Sequence, residues 1–168
     1  AAVVNDEIDS LKNSLLPIIN QKNLNASIKC ANYLSKRMKV MQKLAIYNNF
    51  INDSFFNRLQ IQHKKELLQI VIDFNNWEFN QLEKIIEEGK AKNEILDNIK
   101  TKAFIDIIMM VVKSLEVSFF VKKNYKSYFP TFNSLLINVI QAISPNSNEI
   151  IKEFDLAKYS YTQEIQKH

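Results

Sequence analysis

Apolar residues recur along this chain at intervals of three and four, the period of a helix with one buried face. Asn5 reads as an N-cap, followed by Asp6, Glu7 and Asp9 in a first turn where the helix dipole favours anions. Ile8, Leu11, Leu15 and Ile18 or Ile19 then predict a first helix over Asn5–Asn20, with Pro17 marking a kink or an early end. Ile28, Ala31, Leu34, Met38, Met41 and Ala45 predict a second over Asn25–Asn49. Ser54 caps a third reaching Phe74, with Phe56, Leu59, His63, Leu67, Ile70 and Phe74 on one face. Asn75-Asn76 reads as a break, and Trp77–Glu88 as a short fourth helix closed by Gly89 as its C-cap.

The fifth predicted helix is the longest, about 93–124, and its apolar run Phe104–Val121 predicts a buried central element. Asp106, Lys113 and Glu116 put a polar stripe along it. A charge at the centre of a bilayer-spanning helix costs about 3 kcal/mol, so three exclude a membrane span. Tyr125–Phe129 reads as an aromatic connector, and Pro130 suits the first turn of a sixth helix. Its inward residues are Phe132, Leu135, Leu136, Val139, Ile140 and Ile143. Ser144-Pro145-Asn146-Ser147 is a turn and cap, and Asn148–Gln166 reads as the last helix. No segment alternates with the period of a strand. The fold class expected is all-α: residues 1–168 as one bundle of six or seven helices.

Composition narrows this further. One Gly and three Pro in 168 residues leave too few positive-φ positions for a β-sandwich, a Rossmann fold or a phosphate-cradling loop. The net charge is +4, and nearly all of the cations are lysines, with Arg37 and Arg58 the arginines. Arginine is the usual reader of phosphate and base edges, so the Lys-, Asn- and Ile-rich composition reads as AT-rich codon usage. Cys30, the single cysteine, excludes an internal disulfide framework and points to an intracellular, cytoplasmic protein. The chain opens on Ala1-Ala2 with no basic leader and reads as a fragment of a longer protein or a processed chain.

Candidate chemistry is sparse. His63 sits on an apolar stripe and reads as a core histidine; Cys30 reads as an inert thiol. Glu83, Glu87 and Glu88, flanked by Lys84 and Lys90, read as a solvated salt-bridged face. No catalytic, metal or cofactor residues are expected, and an enzyme is not. Two features stand out. No acidic residue occurs from Ser10 to Asn52, and Lys29, Lys36 and Lys43 are spaced seven apart on one predicted helical face. Such a face could meet nucleic acid or anionic lipid. Tyr125, Tyr128 and Phe129, with Tyr159 and Tyr161, could instead form an aromatic interaction patch.

Ala31–Leu44 with Lys36-Arg37-Met38, Trp77-Glu78-Phe79, and Met109–Leu115 taken together resemble one helical domain family. It is the C-terminal domain shared by the steroid receptor RNA activator protein and the rod-forming outer-coat subunit of the COPII vesicle coat. Val111, Ser114 and Ile108 depart from that family's Gly, Arg and Trp. The resemblance implies a non-catalytic protein-interaction role. The expected function is therefore a helical interaction or scaffold module in a larger assembly. The alternative is a basic surface on the second helix that binds nucleic acid or anionic membrane.

Overall fold

The computed structural model describes residues 2–44, 61–121 and 125–155. The described residues form an all-α, single-domain bundle with no strand. The elements are α1 (Ala2–Ile19), α2 (Ala26–Met41), α3 (Ile61–Ala91), α4 (Thr101–Glu116) and α5 (Tyr125–Ile143). A π-helical stretch, Val117–Val121, extends α4, and residues 147–155 are helical again.

α2 is the centre of the molecule. It contacts α1, α3 and α5, and eleven of its sixteen residues are buried. The predicted stripe is the reason: Ile28, Ala31, Leu34, Met38 and Met41 are all buried, but so are Cys30 and Tyr33 on the flanks. A helix surrounded on three sides loses its polar face. Asn25 caps it, its Oδ1 accepting from the Ser27 N–H at 2.9 Å, and it ends at Met41, short of the expected Asn49. The first predicted helix is present, with Ile8, Leu11, Leu15 and Ile19 inward and Pro17 tolerated in the last turn, but it begins at Ala2, so Asn5 is a helical residue rather than the N-cap and the first turn carries no acid.

Two predicted helices merge. Asn75 and Asn76 lie inside α3, which runs unbroken for 31 residues, about 46 Å. Asparagine is only a few tenths of a kcal/mol poorer than most residues in a helix, and Phe74, Glu78 and Leu82 keep the buried register across the pair. His63 is exposed rather than in the core, because on the described part of α3 the buried face begins at Leu67.

Gly89 is not the cap. It lies inside α3, and a Cβ there would stand 2.6 Å from Ala26 Cβ and 2.8 Å from Ile95 Cδ1. The cap is Asn93, at φ 58°. The Asn93 N–H donates to the Lys90 carbonyl at 3.0 Å and the Glu94 N–H to the Gly89 carbonyl at 2.8 Å. This is the double bond pattern of a Schellman motif.

The predicted long central helix over 93–124 is corrected in extent and in place. Residues 93–100 are the loop after α3, and α4 begins at Thr101. Only one face of α4 is covered: Ile105, Met109, Val112 and Glu116 are buried, while Phe104, Ile108 and Leu115 are only partly so. α4 runs antiparallel to α3. Lys90 Nζ donates to Thr101 Oγ1 at 2.7 Å near one end, and Lys113 Nζ donates to Asn75 Oδ1 at 2.9 Å near the other.

One end of the bundle is joined by a polar network. The Glu94 carboxylate accepts from the Ala26 N–H at 2.9 Å, placing a negative charge at the start of α2. Ser27 Oγ donates to the Glu94 carbonyl at 3.3 Å, and Ser144 Oγ donates to Ser27 Oγ at 2.6 Å. The Leu96 N–H donates to the Ile143 carbonyl at 2.8 Å. The start of α2 and the ends of α3 and α5 meet there.

Candidate functional site

Each of three helices carries one charged residue at a position its apolar stripe would fill. On α2 it is Arg37, between Leu34 and Met38; on α3 it is Glu78, between Phe74 and Leu82; on α4 it is Glu116, after Val112. All three are buried, Arg37 completely. Arg37 Nε donates to Glu78 Oε2 at 2.5 Å, and Arg37 Nη1 pairs with Glu116 Oε1. Tyr33 Oη donates to the same Glu78 oxygen at 2.8 Å. Removing each ion from water costs several kcal/mol, so such a group persists only where opposite charges and donors surround it.

Lys113 stands beside this cluster. Burial holds its ammonium below the usual lysine range, against the pull of Glu78, and Arg37 lowers it further. Counting Arg37 and Lys113 against Glu78 and Glu116, the cluster is neutral. Tyr33 is pushed well above the ordinary phenol range by burial, then by the Glu78 carboxylate and its hydrogen bond, with Arg37 opposing. It is a fixed donor at any physiological pH.

Between α3 and α4 the cluster borders an open cleft of about 360 Å³. Asn75, Asn76, Glu78 and Phe79 supply the α3 wall. Lys102, Ile105, Asp106, Met109 and Lys113 supply the other. The helical spacing of four brings Lys102 and Asp106 into one row on α4, with Lys113 two turns further along the same side.

The opposite side of α4 is apolar and uncovered. Ile107 is 60% exposed, Met110 72%, Val111 39% and Val117 40%. These residues are spaced three, one and six apart and share the face turned away from Ile105, Met109 and Val112.

The lysines proposed from sequence do not share one exposed face. Lys29 is buried, and its Nζ donates to the Ile19 carbonyl at 3.2 Å, closing the end of α1. Lys36 is half-buried and Lys43 exposed. The expected basic face is not presented as one surface: Lys29 is turned inward to the end of α1, and Lys43 lies beyond the end of α2 at Met41. Tyr125, Tyr128 and Phe129 lie in the first turns of α5, not in a connector, and their side chains lie outside the described residues, as do Tyr159 and Tyr161. Trp77-Glu78-Phe79 lies in mid-helix.

Burial pushes the Cys30 thiol up to about 12, with Lys29 only partly opposing. Among the described residues no three His, Cys, Asp or Glu side chains are placed to hold a metal ion. Glu83, Glu87 and Glu88 form the exposed salt-bridged face expected, with Glu87 paired to Lys90 at 3.1 Å. No described helix is long and apolar enough to cross a membrane. Comparison with protein-family models, curated proteins and solved structures yields no match to the chain.

Proposed function

We propose that this chain is a non-catalytic helical interaction module that docks the apolar face of a protein partner on the outer side of α4. The exposed set Ile107, Met110, Val111 and Val117 carries the reading. Scattered surface hydrophobes are ordinary, but four on one side of α4 and its π-helical extension are grouped in the way that marks interaction sites. Its polar margin, Lys102 and Asp106, offers both signs of charge to a partner's rim. The buried ion cluster supports the same role as scaffolding, since it fixes how α2, α3 and α4 are set against each other. The alternative, nucleic acid or anionic lipid on α2, has no comparable support with Lys29 turned inward.

A photo-activatable residue at Met110 of the full chain should give discrete protein adducts, and the same residue at Glu83 should not. Ile107→Asp should abolish those adducts while helical content stays unchanged. Adducts that survive Ile107→Asp, or cross-links to lipid or nucleic acid alone, would overturn the proposal.

A further inference from the structure

The uncovered side of α4 has the spacing of a helix–helix seam. Ala103, Ile107, Met110, Ser114 and, at the π-helical end, Val117 are all exposed. They follow one another at intervals of four, three, four and three. That is the repeat by which one helix lays a continuous row against another, so the occupant it fits is itself a helix. The row has two flanks. On one stand Asp106 and Lys113, and on the other Phe104 and Val111, each pair seven residues apart.

The flanks select the partner. Asp106 is exposed and has no ion pair among the described residues. Lys113 is half-buried, and Asn75 accepts one of the three N–H bonds an ammonium can give. About 10 Å of helix separates Asp106 from Lys113, too far for them to pair within one chain.

A second copy of α4 laid antiparallel on the first, with the two-fold axis level with Ile108 and Met109, sets Ile107 against Met110 of the second copy. Ala103 then faces Ser114 of the second copy, small against small. Asp106 flanks Lys113 of the second copy, and the two-fold repeats the pair. On the other flank Val111 meets Phe104 of the second copy, again twice. The surface is its own complement, which is the condition for a closed two-fold dimer. A parallel pairing fails this condition. It sets Asp106 beside Val111 of the second copy and Lys113 beside Ser118, so no opposite charges meet. We infer that the outer face of α4 pairs antiparallel with the same face of a second copy of this chain. The inference rests on the partner face proposed above and names its occupant. One helix pair is a small interface, so the dimer is a weak one, with a dissociation constant in the micromolar range.

Sedimentation equilibrium of the purified full chain should show monomer and dimer in exchange over roughly 10–500 μM. Ile107→Asp should abolish the dimer. Asp106→Lys should weaken it about tenfold, or about 1.4 kcal/mol, because two opposite-charge contacts become like-charge ones. Both positions are exposed, and circular dichroism reports whether either variant has kept its fold. Cysteines read the register, since the native Cys30 is buried. The Ile107→Cys chain mixed with the Met110→Cys chain should form an oxidised dimer far faster than either chain alone. Faster oxidation of either chain alone indicates a parallel or shifted pairing and overturns the inference. Dimerisation that Ile107→Asp or Asp106→Lys leaves unchanged overturns it as well. So does a chain that stays monomeric throughout. In that last case, adducts from Met110 to a different protein that are lost in Ile107→Asp would keep the partner face and remove only the second copy as its occupant.

Discussion

Replacing Gly89 with alanine sets two effects against each other. Alanine is about 1 kcal/mol better than glycine inside a helix. Here, however, the new methyl would stand 2.6 Å from Ala26 Cβ, a contact neither backbone can relieve without moving α2 from α3. Overpacking of this kind costs about 1–3 kcal/mol, so Gly89→Ala should lower stability in urea unfolding. Ala26→Gly in the same chain should recover only part of the loss, because Ile95 remains 2.8 Å away. Arg37 is the other residue on which much rests. Arg37→Met leaves Glu78 and Glu116 buried without their shared cation and should cost about 3–5 kcal/mol. Exchanging Arg37, Glu78, Glu116 and Tyr33 together for Met, Leu, Leu and Phe should recover most of it, since a well-packed apolar replacement is often neutral. Equal losses in the single and the fourfold variant would show that packing, not charge pairing, sets the cost.

At the scale of elements, Asn93 ends α3 in the left-handed region, where a Cβ costs about 1–2 kcal/mol unless the side chain suits it. Asn93→Ala should destabilise by about 1 kcal/mol and Asn93→Gly should not; unfolding midpoints for the pair decide it. Element identity was legible wherever the inward residues are the apolar ones. The stripes of α1, α2 and α5 read directly because their apolar residues and their burial coincide. The Asn75-Asn76 pair misled because polarity resembles a break, while the backbone register is set by Phe74 and Glu78 on the buried side. Gly89 misled because glycine serves two ends, positive φ and close approach, and sequence does not say which. The run Phe104–Val121 misled most. Its outer face is apolar for a reason the fold does not supply, which is why the sequence resembles that of a central helix. The ion cluster left a fainter trace: Arg37, Glu78 and Glu116 each interrupt an apolar stripe, and their signs are complementary. That trace becomes readable only once three helices are known to meet.

For the whole molecule the buried acids set an alkaline limit. Cys30 rises from 9.0 to about 12 on folding, and Tyr33 rises from 10.0. A group whose folded value is raised keeps its proton in the native state while the unfolded chain releases it. For Cys30 the stability contributed is complete below pH 9 and declines from there toward pH 12, and for Tyr33 the decline starts at about pH 10. Each such group steepens the decline by up to about 1.4 kcal/mol per pH unit. Lys113, lowered by burial, opposes this up to its unfolded value of 10.5. Stability should therefore fall from about pH 9 in the native chain. Cys30→Ala should flatten the curve between pH 9 and pH 10 and delay the fall to the range where Tyr33 acts. Parallel curves for the two proteins over that interval would clear Cys30 of the effect.

The network at the end of the bundle carries a consequence for the order in which the molecule assembles. Ser144 and Ser27 are separated by 117 positions, and Glu94 reaches back 68 to Ala26. Closing loops of that length costs entropy before any contact repays it, so these bonds form after the local helix pairs have met. Contacts absent from the transition state leave the rate of folding alone and act on the rate of escape. Ser144→Ala should thus leave the refolding arm of a chevron nearly unmoved and raise the unfolding arm several-fold, by about 1 kcal/mol. The clasp governs how long the native molecule lasts, and the helices below it govern how quickly it forms.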